Sequence, residues 1–322
     1  MKFVLSPAVF VSLFLSLGSA LSQEYPAKPI RMLIPFAPGG AVDTTARILT
    51  QKMTERLGWQ FVVENRPGGN GFIATTAVQK AAPDGYTLLM AHTGEFAVNP
   101  ALFSNVPYDL ERDFVPITMV TDAPMLYLAN IQAPFNSFQE LVAQAKARPG
   151  FVTFGSAGTG SINHLAGEWL ALAAGIKLQH IPYKGGAPAA AAVAAGDVHF
   201  GVVAVPGAIP HLKSGRAKVI GITTAKKSPL DPTWPTPRDA GIPDLDASIW
   251  VGLFAPKGTP QAVVDKLNAE VRKTMDQADV QKRFTETGSE TVGMSSADFA
   301  ARIRKDAERY KQVVQAAGVK PE

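Results

Sequence analysis

The chain has no cysteine. Disulfides, thiolate metal sites, a cysteine nucleophile and a lipid-anchored N-terminal cysteine are therefore excluded. It also has little net charge. Lysine and arginine number 31 against 27 acidic residues, a formal +4, and no run of five or more basic residues occurs. That balance does not argue for a nucleic acid partner. Beyond the N-terminus, no apolar stretch reaches the length of about 18 residues that a membrane helix needs. The hydrolase elbow G-x-S-x-G is missing, and so is H-E-x-x-H. Serine, histidine and aspartate occur in any chain this long, so their presence alone does not indicate a triad.

What is present reads as globular. With 322 residues, 46% hydrophobic and 18% charged, the chain has length for two domains with ordinary cores. Glycine (28) and proline (25) are plentiful, which suits many short connections. At the N-terminus, Lys2 precedes an apolar run from Phe3 to Leu17, and Gly18-Ser19-Ala20 offers small residues for cleavage. A positive end, a short apolar core and small residues at the cut form a secretory signal, expected to span residues 1–22 with a second possible cut after Ser22. The apolar run is too short for a comfortable membrane span, so an uncleaved anchor is the weaker alternative. Loss of Lys2 leaves the mature chain near +3 (4 minus 1). A soluble exported protein is expected, and its size makes disulfides dispensable.

The mature sequence alternates strands and helices, which implies an α/β fold with mostly parallel sheets covered on both faces. Ile30 to Phe36 reads as a strand, Asp43 to Leu57 as a helix stopped by Gly58, Phe61 to Glu64 as a strand, Phe72 to Ala81 as a helix and Thr87 to Ala91 as a strand. The pattern then restarts. Phe114 to Asn130 holds two apolar runs broken at Asp122-Ala-Pro124. A capping box opens a helix at Ser137, and Val152 to Phe154 is a strand followed by a helix from Ile162 to Ala174. A short strand at 179–181, an alanine-rich helix to Ala195 and strands at 198–203 and 218–223 complete this second unit. Strand-like Ile249 to Ala255 and helices at 260–276, capped by Thr259, and 297–317 close the chain. These last elements are expected to return to the first unit, so that two domains are joined by two crossings.

Each unit opens with strand, glycine-rich loop, helix. In the second unit the loop runs from Gly155 to Ser161, GSAGTGS. Free amides at a helix start and the positive end of its dipole make an anion site without any charged side chain. Glycines let a ligand approach the backbone, and Ser156, Thr159 and Ser161 add hydroxyls. The P-loop lysine and the G-x-G-x-x-G pattern are missing, which argues against a nucleotide. In the first unit, PFAPGGAVD is the same device: Gly39 and Gly40 expose amides, and Asp43 either caps the helix or lines a site. Both loops follow parallel strands, where open α/β sheets bind ligands. Tyr183-Lys-Gly-Gly is a third such loop, in which the backbone is a stronger candidate than Lys184. His164 and Glu168 lie four apart on one helix face, as a metal pair, an acid–base pair or an ordinary surface pair.

Taken together, PFAPGGAVDTTARIL, VENRPGGNGFIA, PDGYTLLMA, NPALF, PYDLERDFVPIT, GSAGTGSINHLAGE, HIPYKGGAPA and GIPDLDASIWVGLFAPKGTP resemble the Bug (TctC-type) solute receptors of tripartite tricarboxylate transporters. The resemblance runs from about Tyr25 to the C-terminus. It implies a monomeric periplasmic binding protein with a two-lobed Venus-flytrap fold, non-enzymatic and without a cofactor or metal. Lobe 1 would comprise residues 23–124 and 250–322, and lobe 2 residues 125–249. The ligand would be a small organic acid. The partners would be membrane permease subunits of a tripartite tricarboxylate transporter or a sensor protein. The family's first-lobe grip falls on Phe36, Pro38, Gly39, Gly40 and Asp43. Its second-lobe carboxylate grip falls on Ser156, Gly158, Thr159, Gly160 and Ser161, with His164, Tyr183 and Gly185 nearby. Two positions depart from the family pattern: Val203 stands where many members carry a polar residue facing the ligand, and Glu95-Phe96 stand where many carry Thr-His. The lining would thus gain an acid and an aromatic and lose a polar group. The rivals are an exported enzyme acting on a small organic acid in the same cleft, which would release product, and an interaction protein with no cleft ligand.

Overall fold

The computed structural model describes residues 25–242 and 245–320; the expected signal peptide lies outside them. Strand β1 (Ile30–Ile34) lies between β2 (Phe61–Asn65) and β3 (Thr87–His92), parallel to both. Its side chains alternate. Ile30, Met32 and Ile34 join one apolar cluster with Val42, Leu49 and Met53, while Leu33 joins the cluster on the opposite face. Both faces are therefore covered, here by α1 (Ala41–Leu57) on one side and α2 (Phe72–Gln79) on the other.

The segment expected to break at Asp122-Ala-Pro124 is one strand, β4 (Phe114–Asn130). Its first part pairs antiparallel with a later strand, β9 (Ser248–Pro256), from Phe114↔Pro256 to Pro124↔Ser248. Its second part pairs with β7 (Phe200–Ala204) and β8 (Ala217–Ile222). Proline cannot donate to a ladder, and the two prolines sit where that matters least: Pro116 at a register shift, Pro124 at the last residue paired with β9. The apparent break is therefore a change of partner.

The second half repeats the first. After α3 (Phe138–Ala147), β5 (Thr153–Ser156) lies parallel between β6 (Gln179–Pro182) and β7. Helix α4 (Ile162–Ala174) starts at Ser161, whose hydroxyl accepts from the His164 amide, and ends at Gly175 in the left-handed region. Helix α5 (Gly186–Ala195) is the alanine-rich one, and α6 (Val205–Lys213) follows β7 directly. Sheet order is β2-β1-β3-β9-β4-β7-β5-β6, parallel in both wings and antiparallel through the middle. Each wing is thus a parallel sheet, as expected, and the two crossing strands β4 and β9, each antiparallel to the wing beside it, make the whole sheet mixed.

Beyond β9, α7 (Gln261–Met275) starts at Pro260, which takes the cap position itself; the Thr259 hydroxyl instead donates to the Pro256 carbonyl at 2.8 Å. Helix α8 (Ala278–Thr285), the short β10 (Glu290–Thr291) against β4, and α9 (Ser296–Ala317) complete the chain. Among the described residues, no helix is long and apolar enough to cross a membrane.

Candidate functional site

A cleft of about 740 Å³ opens where the two wings of the sheet meet. Four helices turn their N-termini to it: α1 at Gly39–Val42, α4 at Thr159–Asn163, α5 at Gly185–Ala187 and α6 at Ala204–Gly207. At α1, α5 and α6 no side chain caps the first turn. Their orphan amides and positive dipole ends are thus available to an anion, each terminus contributing about 0.3–1 kcal/mol toward a charge in ordinary exposed settings. No lysine or arginine is among the described residues that line it. The remaining walls are Phe36, His92, Gly94, Glu95 and Val98 from the first half, with Asn70 and Asn99 beside them, and Ile249 from β9.

The second-half loop is tightly framed from within. Ser156 is fully buried; its Oγ lies 2.6 Å from His180 Nε2, donates to the Gly158 carbonyl and accepts the Gly158 amide. Ser161 Oγ donates to the Gly158 carbonyl at 2.7 Å while capping α4. The Gly160 amide donates to His164 Nδ1 at 3.1 Å. Gly160 has φ +74°, and a Cβ there would run into Leu102. Several loop donors are thus spent on holding the loop's shape. The loop residues that line the cleft are Ala157 to Ser161, followed by Ile162 and Asn163 of the first turn of α4.

Beneath the loop, His164 and His180 stack with ring centres 3.6 Å apart and planes 12° apart. Burial and then the neighbouring His164 push the His180 imidazole down to about 4. His164 is itself buried, with Nε2 3.5 Å from Glu168 Oε1, so this pair is not a surface pair.

Of the expected contacts, Phe36, Gly39, Gly40, Glu95, Gly158, Thr159, Gly160, Ser161 and Gly185 line the cleft. Pro38 and Asp43 do not. Asp43 is turned inward, accepting from the Gly39 amide, from Asn65 Nδ2 and from Arg47. Burial opposes its ionisation, but the bonds from Arg47, Gly39 and Asn65 outweigh that and hold its carboxyl below the usual range. Ser156 and His164 frame the loop from behind. Tyr183 packs against Gly155, and Val203 is fully buried in the cluster with Leu126, Ala190 and Val193. The change to valine therefore removes nothing from the lining. Phe96 is likewise in the core, 4.4 Å from the Phe254 ring, because strand β3 runs into a π-turn, Gly94–Val98, that rolls Phe96 inward. Glu95 is only 1% exposed and lies 2.9 Å from His92 Nδ1. His92, Asn70, Asn99, Ala187 and Gly207 are lining residues that the sequence did not suggest. For His92 a signal existed: it ends a parallel strand, where such sheets bind ligands.

The profile described as "Tripartite tricarboxylate transporter family receptor" matches residues 45–319. The chain belongs to that family. Protein BugT of Bordetella pertussis is 35% identical over 300 residues, covering 93% of this chain and 92% of the relative. Among solved structures, Rpa4515 of R. palustris with adipate is 31% identical at TM-score 0.84, covering 92% of this chain and all of that one. The periplasmic binding protein BugD is 34% identical at TM-score 0.78 over the same shares. The family is one of solute receptors, not enzymes, and the α/β fold of this chain matches that of the periplasmic binding protein BugD.

Proposed function

We propose that the protein is an extracytoplasmic receptor that captures a small carboxylate-bearing ligand between two lobes for tripartite tricarboxylate-type uptake. The observation that carries this reading is the convergence of α1, α4, α5 and α6 on one cleft with no lysine or arginine among the described residues that line it. A carboxylate is smaller and less charged than a triphosphate, so backbone amides and dipole ends suffice to hold it. A modest grip also suits a receptor that must release its cargo. The adipate held by the similar R. palustris protein supports the ligand class.

In this reading lobe 1 is residues 23–124 and 250–322, and lobe 2 is residues 125–249, hinged where β4 changes partner. Gly39, Gly40 and Phe36 grip from lobe 1; Gly158, Thr159, Gly160, Ser161 and Gly185 grip from lobe 2. Closure follows from the ligand's higher affinity for the closed form. The protein acts as a monomer in the periplasm after loss of residues 1–22, and hands its ligand to membrane permease subunits or a sensor. The test is a thermal-shift and calorimetric screen of the mature protein against dicarboxylates, aromatic acids and amino acids. Ligand at 100 times its dissociation constant adds about 2.7 kcal/mol, and each kcal/mol moves the melting temperature of a chain this size by roughly 2–4 °C. A riser recovered unchanged by mass spectrometry supports the receptor. Conversion of the bound acid to a product would favour the enzyme rival, and a flat screen on ligand-free protein would sink the carboxylate class.

A further inference from the structure

At the cleft wall formed by the end of β3, a buried acid lies behind a base that faces the cleft. Glu95 Oε2 accepts from the His92 amide at 2.9 Å and lies 2.9 Å from His92 Nδ1. The imidazole itself lines the cleft and packs on Phe36 with ring centres 4.4 Å apart. Two glycines clear the space. A Cβ on Gly71 would come within 2.5 Å of Glu95 Oε1, and one on Gly94 would overlap the His92 ring. The backbone is thus shaped around this pair from two sides.

The proton's place follows from the geometry. The Gly94 N–H also points at His92 Nδ1, with 2.8 Å between the nitrogens. A bare Nδ1 would accept from Gly94 but would set its lone pair against the carboxylate. A protonated Nδ1 gives up the bond from the Gly94 amide, but it donates to Glu95 and neutralises an acid that burial would otherwise penalise heavily. The second arrangement removes the larger cost. Burial opposes a charge on His92, but the charge and hydrogen bond of Glu95 outweigh it and raise the imidazole above its ordinary value. Glu95 is the charged group that meets the ring.

We propose that Glu95 and His92 act as a dyad: Glu95 positions and charges the imidazole, and His92 is the specificity-determining contact that receives a second anionic group of the ligand. The inference rests on the receptor reading and deepens it. The helix N-termini bind one carboxylate, and the imidazolium edge turned from Glu95 offers a cationic donor to the other end. A doubly anionic acid is therefore preferred over a ligand of the same length that ends in an ammonium group. Glu95 itself is shielded by His92 and does not repel the ligand.

Two measurements test this. In an NMR pH titration of the mature protein, with the His92 resonance assigned by its loss in His92→Gln, His92 titrates above about 6.5, the ordinary value. In Glu95→Gln it falls below that value, because burial remains and the carboxylate does not. By calorimetry at pH 7, adipate binds more tightly than 6-aminohexanoate; His92→Gln weakens adipate about tenfold or more and moves 6-aminohexanoate little. Glu95→Gln acts in the same direction and shifts the pH limit of adipate binding downward. Titration of wild-type His92 below 6.5, or equal losses for both probes in His92→Gln, overturns the dyad. Preference for monocarboxylates over all dicarboxylates from malonate to adipate overturns the dyad and leaves the receptor intact. If no carboxylate binds, the receptor reading fails and this inference with it.

Discussion

Single residues divide into those that touch the cleft and those that shape it, and the two kinds give different experiments. Ser156 and Thr159 look alike in the sequence. In the fold, Ser156 is buried behind the loop and bonded to His180, while Thr159 lines the cleft. Ser156→Ala leaves His180 Nε2 and the Gly158 amide short of a partner, while Ser161 still serves the Gly158 carbonyl, at a cost of about 1–3 kcal/mol. Its melting temperature should drop in ligand-free protein. Thr159→Ala should show its larger effect in ligand affinity. Equal effects on both observables in both variants would mean the loop is not partitioned in this way. His180 adds a pH dependence. Its folded value of about 4 lies below the ordinary 6.5. Its contribution is therefore fully present above about 6.5 and lost as pH falls through about 4, because the unfolded chain takes up the proton first. Thermal denaturation from pH 7 to pH 4 should show a stability decline that is shallower in His180→Gln; an unchanged slope would remove His180 from the account.

At the scale of elements, strand and helix periodicity was legible wherever local pattern decides. The sequence placed α4 at its observed limits and most wing strands within two residues. It was weakest where a partner, not a pattern, decides. β4 read as two runs because partner exchange at Pro124 has no local signature. α6 was missed because Pro206 and Pro210 mask it; the first sits in the opening turn, where a missing amide costs nothing. The π-turn at 94–98 hid the inward roll of Phe96 and the burial of Glu95, and it lies at the wall of the cleft. The glycine-rich loops pointed to helix starts that line the cleft because glycine before a helix is a local feature. The uncapped start of α1 can be tested at Gly40, whose φ of −78° any residue accepts, and where an added Cβ meets nothing closer than 3.8 Å. Gly40→Asp supplies a side-chain cap, so stability should change by no more than a few tenths of a kcal/mol. Its carboxylate would take the amides offered to the ligand and repel it. Calorimetry should show at least a tenfold loss of affinity for an acid identified in the screen; retained affinity would mean that the α1 terminus is not part of the grip.

For the whole molecule, the feature that matters is the pair of strands crossing between the wings. Where β4 leaves β9, Asp122 pairs across the ladder with Trp250 and lies 3.5 Å from Arg302 Nη1. Arg302 is also bonded to Asp306 and Ser248, and Asp306 accepts from the Trp250 indole. This network ties α9 to both crossing strands. It is not fully satisfied: Asp122 Oδ1 is buried without a hydrogen-bond partner. Burial is the main reason that the Asp122 carboxyl is pushed up to about 6, with Arg302 pulling the other way. A carboxyl raised in the folded state contributes stability below its unfolded value of about 3.9 and loses that contribution as pH rises through about 6. At pH 7.5 the ionised group is therefore a burden on the crossing, tolerated because Arg302 needs a counter-charge. An amide in place of this carboxyl resembles the neutral acid at every pH, and Asp306 still holds Arg302. Asp122→Asn should thus raise the melting temperature at pH 7.5, by roughly 2–4 °C for an effect on the order of 1 kcal/mol, and leave it unchanged or slightly lower at pH 5. A variant less stable at pH 7.5 than at pH 5, relative to wild type, would show that the Arg302 attraction outweighs the burial cost and that the crossing is held by its charge.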